Sequence, residues 1–182
     1  LVMRSMLSQD GIINVMLKNA GWIQKSLPFF SNVAWARITV IVVNLWIGIP
    51  YTMMQVTGIL QNIPLELYEA AEVDGAGPVI RFFKITLPYM LFVTTPYLIT
   101  TFTANINNFN IVYLLTKGDP VLSGNTAGKT DLLVTWLYKM TVDYQYYNLG
   151  AVIGIMTFVF LAIGSLLVYR RTKSYKDEEG FQ

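Results

Sequence analysis

The chain of 182 residues contains no cysteine and no histidine. The two absences exclude thiol nucleophiles, disulfides, Cys/His zinc sites, imidazole bases and haem held through either residue. They also mean that cysteine usage says nothing about compartment. Charge is scarce as well: Asp, Glu, Lys and Arg make up 13% of the chain, and the formal net charge is only +2. That charge is too small and too dispersed for a nucleic-acid surface; Arg170, Arg171, Lys173 and Lys176 form the one basic cluster. What the chain has in excess is apolar surface, 54% of its residues with a mean hydropathy of +0.47. Such a balance belongs to a membrane protein rather than a soluble domain. No basic, apolar and small-residue layout of a signal peptide follows Leu1, and we expect the chain to be part of a longer one with upstream spans.

A helix needs about 20 residues to cross a hydrocarbon core of roughly 30 Å. Segments 35–57, 88–115 and 148–169 meet that requirement without a charge in the middle; Arg37 lies near an end, where it can snorkel. Trp35, Tyr146, Tyr147 and Tyr169 fall at the boundaries, as an aromatic belt would. The basic run "YRRTKSYK" after the third span makes segment 170–182 a cytoplasmic tail by the positive-inside rule. Counting back, loop 116–147 is external, loop 58–87 is cytoplasmic, and 1–34 holds the end of a preceding span and an external interfacial segment. Arg4, Lys18, Lys25 and Arg37 run against that orientation. "GIINVMLKNAGWI" reads as an amphipathic interfacial helix, and "TDLLVTWLYKMT" as an interfacial or re-entrant one, with Leu132, Leu133, Trp136, Leu137 and Met140 at helical spacing.

Polar residues within the spans carry the chemistry, because each must find a partner away from water. Asn44, Gly48, Tyr51 and Gln55 recur at i, i+4, i+7 and i+11, and Thr101, Asn105 and Asn108 at i, i+4 and i+7, so each span bears a polar stripe. Two readings stand. The stripes either bond helix to helix, or line a path for a neutral polyhydroxylated ligand whose hydroxyls match the amides and whose rings stack on Trp46, Tyr51 or Phe109. Pro50 and Pro96 either kink these helices beside a cavity or are tolerated bends. "SGNTAGKT", Ser123 to Thr130, misses a phosphate-binding loop: the first glycine arrives one residue late and no strand precedes it. Glu66, Glu69, Glu72 and Asp74 read as a solvated helical face rather than metal ligands, with no histidine or calcium loop to complete a site.

The stretch "EAAEVDGAGPVIRFFKITLP", Glu69 to Pro88, resembles the EAA loop of importer-type ATP-binding-cassette permeases. Glu69, Ala70, Ala71, Gly75, Ile85, Leu87 and Pro88 meet every position of the family pattern. With "NLWIGIPY", "IPLELYEAAEVDGAG", "TANINNF" and "TDLLV", nearly the whole chain is similar to the C-terminal half of the larger permease subunit of maltose/maltodextrin importers. The resemblance implies an all-α fold, a polytopic transmembrane bundle of the type I importer permease class, here about three spans plus interfacial helices. It implies sugar contacts at Asn44, Trp46, Ile47, Gly48, Tyr51, Thr101, Asn105 and Asn108. Thr101 and Ile47 stand for serine and leucine, and Ala104 replaces an expected aromatic ring. It also implies a coupling loop of two short helices around Gly75. There Leu67, Tyr68, Ala70 and Ala71 would pack into a cytoplasmic ATPase, with Glu69 and Asp74 making polar contacts.

Partners implied by the resemblance are a second permease subunit, an ATP-binding-cassette ATPase dimer, an extracytoplasmic sugar-binding protein and membrane lipid, with no nucleic acid. ATP hydrolysis would sit on the partner, and no cofactor or metal is implied. The cargo is expected to be a maltose/maltodextrin-type oligosaccharide, or else another neutral sugar or a glycerol-derived solute, carried across a bacterial plasma membrane. The rivals are an intramembrane enzyme using Glu69 or Asp74, which lacks a nucleophile and base, and a non-transporting membrane scaffold.

Overall fold

The computed structural model describes residues 1–171, so the tail expected over 170–182 lies from residue 172 onward outside the described residues. Among the described residues all regular structure is helical: α1 (Val2–Met6), α2 (Ile12–Asn19), α3 (Val33–Leu60), α4 (Leu65–Val73), α5 (Pro78–Arg81), α6 (Leu87–Ile106), α7 (Phe109–Leu115), α8 (Leu133–Tyr138) and α9 (Tyr147–Arg171). π-helical turns occupy Phe82–Thr86 and Lys139–Asp143. Three helical stretches, Val33–Leu60, Pro78–Leu115 and Tyr147–Arg170, are long and apolar enough to cross a membrane. The chain divides into two compact units, one of residues 1–47 and 105–160, the other of 48–104 and 161 onward.

In the first unit, Asn32 starts α3: its Oδ1 accepts from the backbone N–H groups of Ala34 (2.9 Å) and Trp35 (3.3 Å), which otherwise have no partner at a helix start. Only Ala36, Thr39 and Val43 of α3 are buried. Val112 and Leu115 of α7 and Met140 of the second π-helical turn complete the buried apolar set of this unit. Asn14 of α2 is fully buried and fastens the N-terminal segment: Nδ2 donates to the carbonyls of Ser8 (3.0 Å) and Leu27 (3.3 Å), and Oδ1 accepts from Leu27 N (2.8 Å). Ile12, Val15 and Met16 of the same helix stay exposed, the amphipathic arrangement expected of an interfacial helix.

Loop 116–147 is held by a buried ion pair that its sequence does not advertise. Lys139 Nζ donates to Asp131 Oδ2 at 2.8 Å, with side-chain exposures of 11% and 4%. The same carboxylate accepts from Gly128 N (2.7 Å) and the Thr135 hydroxyl (2.9 Å), so burial of the charge is met by hydrogen bonds. Residues 123–130, the near match to a phosphate loop, run into this knot, and α8 begins only at Leu133. Thr130 is buried, its hydroxyl donating to Asp119 O at 2.7 Å and sharing a bond of 2.8 Å with Thr116.

In the second unit the loop 58–87 forms the two short helices expected around Gly75. Asp74 ends α4, and Gly75 follows at φ +77°, a backbone region open to glycine. Gly75 N then donates to Glu72 O (3.0 Å) and Ala76 N to Ala71 O (2.8 Å), the paired closing bonds of a Schellman turn. Pro78 opens α5, where its missing N–H costs nothing. The helix does not stop after α5: it passes through the π-helical turn into α6.

One departure from the expected spans has a local cause. The segment 88–115 is not one helix, because α6 ends at Ile106 and α7 begins at Phe109. Asn108 supplies the break: at ψ 84° its backbone is non-helical, and its Oδ1 accepts from Ile111 N at 3.3 Å, capping α7. Pro50 and Pro96, by contrast, sit within α3 and α6, which continue past them. Thr94, Thr95 and Thr103 of α6 donate to carbonyls four residues back, the usual satisfaction of a hydroxyl in an apolar setting.

Candidate functional site

The amides of the two stripes meet in the first unit. Asn44 Nδ2 donates to Asn105 Oδ1 at 2.8 Å, and Asn108 Nδ2 donates to Asn44 Oδ1 at 3.2 Å. Two of these side chains come from separate helices and the third is a helix cap, so the break at Asn107 turns Asn108 into this cluster. The bonds satisfy the helix-bonding reading of the stripes. The same three amides also line a cavity of about 300 Å³, which leaves room for the ligand-lining reading.

That cavity is not the uncharged cleft the stripes alone suggest, since Arg37, Lys129 and Asp131 line it too. Asp131 is engaged by Lys139, and Arg37 Nε donates to Lys129 O at 3.1 Å. Arg37 was legible, because it precedes Asn44 by seven residues and so extends the stripe along the same helical face. Lys129 carries no periodic signal and is brought in by the folding of loop 116–147.

In the second unit, Tyr51 pairs with Tyr97, their ring centroids 6.5 Å apart and tilted by 45°, and the Tyr97 hydroxyl shares a 3.2 Å hydrogen bond with Thr52. Tyr97 was missed, although it stands four residues before Thr101 and continues the second stripe. Thr101 is half-buried. Gly48 leaves open space where a side chain would stand. Trp46 departs from the expected set: two residues after Asn44 on an unbroken helix, it projects about 160° from the stripe and is 69% exposed. Ile47 is likewise exposed and bonds with none of the amides.

Of the coupling residues, Leu67, Glu69, Ala70 and Asp74 are exposed around α4, together with the apolar Leu65 and Val73. Ala71 is half-buried. Tyr68, expected to point into a partner, instead turns inward, its hydroxyl sharing a 2.8 Å hydrogen bond with Thr86.

The family model described as "Binding-protein-dependent transport system inner membrane component" matches residues 8–174. Among curated proteins, the chain is 44% identical over 152 residues to the galactooligosaccharides transport system permease protein GanP of Bacillus subtilis (strain 168), covering 84% of this chain and 36% of that one. It is 43% identical over 147 residues to the maltodextrin transport system permease protein MdxF of the same organism, covering 80% and 34%. To the maltose/maltodextrin transport system permease protein MalF of Escherichia coli (strain K12) it is 41% identical over 174 residues, covering 92% and 33%. The chain thus spans about a third of the length of these relatives. A chain of a bacterial alginate ABC transporter, crystallised with its alginate pentasaccharide-bound periplasmic protein, superposes with a TM-score of 0.79 at 22% identity, covering 94% of this chain and 58% of that one. That likeness speaks to the fold, which is the helical fold of an ABC transporter permease. With the EAA pattern complete on a helix pair around Gly75 and the family matched over nearly all of its length, the chain belongs to the binding-protein-dependent transport system inner membrane components.

Proposed function

We propose that the chain is the C-terminal part of a permease subunit of an ATP-binding-cassette importer, contributing to the translocation path for maltose/maltodextrin-type oligosaccharides. The observation that carries the cargo reading is the amide cluster of Asn44, Asn105 and Asn108 lining a cavity of about 300 Å³. Amides donate and accept at once, which is what a ring of hydroxyls requires, and the volume falls at the low end of the range of small-molecule sites, roughly 300–1,000 Å³. Gly48, Tyr51 and Thr101, all within the second unit, are sugar contacts in the same proposal, with Tyr97 offering a second ring beside Tyr51. Trp46 is the weaker member, projecting away from the amides, whereas Ile47 stands about 60° from Asn44 on the helix and is exposed.

Coupling runs through loop 58–87. The exposed Leu67, Glu69, Ala70 and Asp74, with the less exposed Ala71, dock α4 into a cytoplasmic ATPase dimer that performs the hydrolysis. Gly75 sets the angle of the second arm. A second permease subunit and an extracytoplasmic sugar-binding protein complete the assembly in a bacterial plasma membrane. The C-terminus lies on the cytoplasmic side. When ATP draws the ATPase dimer together, the docked loop moves with it and the spans exchange inward-open for outward-open states.

The test is uptake of labelled maltotriose by the full-length complex in proteoliposomes. Asn105→Ala is expected to lower uptake by about three- to tenfold, the worth of one net hydrogen bond, while the ATPase still assembles. Glu69→Lys is expected to abolish ATPase assembly. Unchanged uptake with Asn105→Ala would remove the amide cluster from the sugar path. A second cargo is favoured by the 44% identity to a galactooligosaccharide permease. Uptake of a labelled galacto-trisaccharide in place of maltotriose would select it.

A further inference from the structure

The coupling loop is not joined to its span through the backbone alone. Two side-chain ties cross the Gly75 turn, both within the second unit. Arg81 Nη1 donates to Glu72 Oε2 at 3.0 Å, fastening α5 to the last turn of α4. Eighteen residues apart, Tyr68 and Thr86 share the half-buried 2.8 Å hydrogen bond that fastens the middle of α4 to the π-helical turn. Pairs on one helix face are separated by three or four residues, so neither contact is a by-product of helix formation. Each closes only if α4 folds back on the following helix.

The chemistry of Arg81 sets it apart from an ordinary surface cation. Its side chain is 24% exposed, and its Nε is buried without a hydrogen-bond partner. A buried, unpaired donor destabilises the fold, so stability alone does not account for an arginine here. An exposed ion pair adds little stability. What Arg81 gains is position: its terminal nitrogen holds Glu72 across a turn whose backbone hinges on one glycine. The π-helical turn adds a second reason for a brace. Such wide turns are locally less constrained than α-helix and recur at functional sites, and this one lies between the docking helix and α6. Without a tie, a push on α4 would be absorbed by bending at Gly75 or by rewinding of Phe82–Thr86.

We infer that Glu72–Arg81 and Tyr68–Thr86 are positioning pairs that lock α4, α5 and the π-helical turn into one lever, so that displacement of the docking helix reaches α6. The inference rests on the coupling reading above and adds residues to it. Glu72 and Tyr68 then act inside the chain rather than as contacts of the ATPase. Their chemistry distinguishes the two roles: a pair internal to the chain tolerates exchange of its charges, whereas a contact with another subunit does not.

The chain's lack of cysteine permits a readout that does not depend on which sugar is carried. In the full-length complex, with any cysteines outside this segment replaced, Ala104 of α6 is changed to cysteine. Its rate of thiol modification is followed with and without ATP, alongside ATP hydrolysis. Glu72→Arg and Arg81→Glu should each leave hydrolysis measurable yet shrink the ATP-driven change in labelling by about two- to fivefold, the effect an ion pair of this exposure commands. The double exchange Glu72→Arg with Arg81→Glu should restore it. Tyr68→Phe and Thr86→Val provide the uncharged arm: each should uncouple to a similar degree, and the two together no further than either alone. The proposal is overturned if single exchanges keep the full labelling change. It is also overturned if the double exchange fails to rescue, or if the phenylalanine and valine variants behave as wild type. Failure of maltotriose uptake alongside intact rescue would instead count against the cargo assignment.

Discussion

At the scale of single residues, the ion pair of Lys139 and Asp131 is the feature with the largest expected energetic consequence. Both side chains are nearly excluded from solvent. Lys139→Met is predicted to strand a buried carboxylate and destabilise the complex by about 3–5 kcal/mol. Thermal unfolding of the detergent-purified complex measures this, and Lys139→Met combined with Asp131→Asn should recover part of the loss. Gly118 packs against the same pair at φ +86°, and a methyl group there would run into Asp131 and Lys139 side-chain atoms. Gly118→Ala is therefore expected to cost about 1–3 kcal/mol in the same assay. None of this was legible in the sequence, where Asp131 and Lys139 stand eight residues apart near the two ends of a stretch that reads as an interfacial or re-entrant helix, with nothing to pair them. The amides are the opposite case: Asn44, Asn105 and Asn108 were readable from helical spacing, and extending the stripe by seven residues would have found Arg37.

At the scale of elements, the Schellman turn at Gly75 explains why a seven-position pattern survives translation into shape. The glycine, the alanines before it and the leucine-proline after it fix the end of one helix and the run into the next. Gly75→Val forces a β-branched residue to φ +77° and is predicted to abolish capture of the ATPase by the detergent-solubilised permease. Gly77→Ala is the control, since Gly77 has φ −67° and open space around its α-carbon, and capture should persist. Loss of capture in both variants would mean that small size, rather than backbone conformation, is what the loop needs. The long apolar runs made the three spans legible, but the break after Ile106 was not, because hydropathy averages over it. Asparagine in a span can either bond sideways or cap a new helix, and Asn108 does both, which a face-by-face reading of spacing does not distinguish. Trp46 is the converse case: the motif carried it, while its helical angle opposes the stripe.

At the scale of the whole molecule, orientation is the expectation most in need of measurement. A reporter active only in the cytoplasm, fused after the C-terminus of the full-length protein, should be active. A reporter active only outside, inserted after Asn125, should be active as well, because 116–147 is expected on the external face. Reversal of both signals would put loop 58–87 on the side away from ATP and dismantle the coupling scheme. The spans themselves are thinly covered: the most apolar windows of the second and third are only 6% buried within this chain. So much bare apolar surface must be covered by lipid or by further helices. Produced without them, the segment should be degraded rather than accumulate, so that its abundance in the cell is set by the supply of whatever covers it and not by its own rate of synthesis.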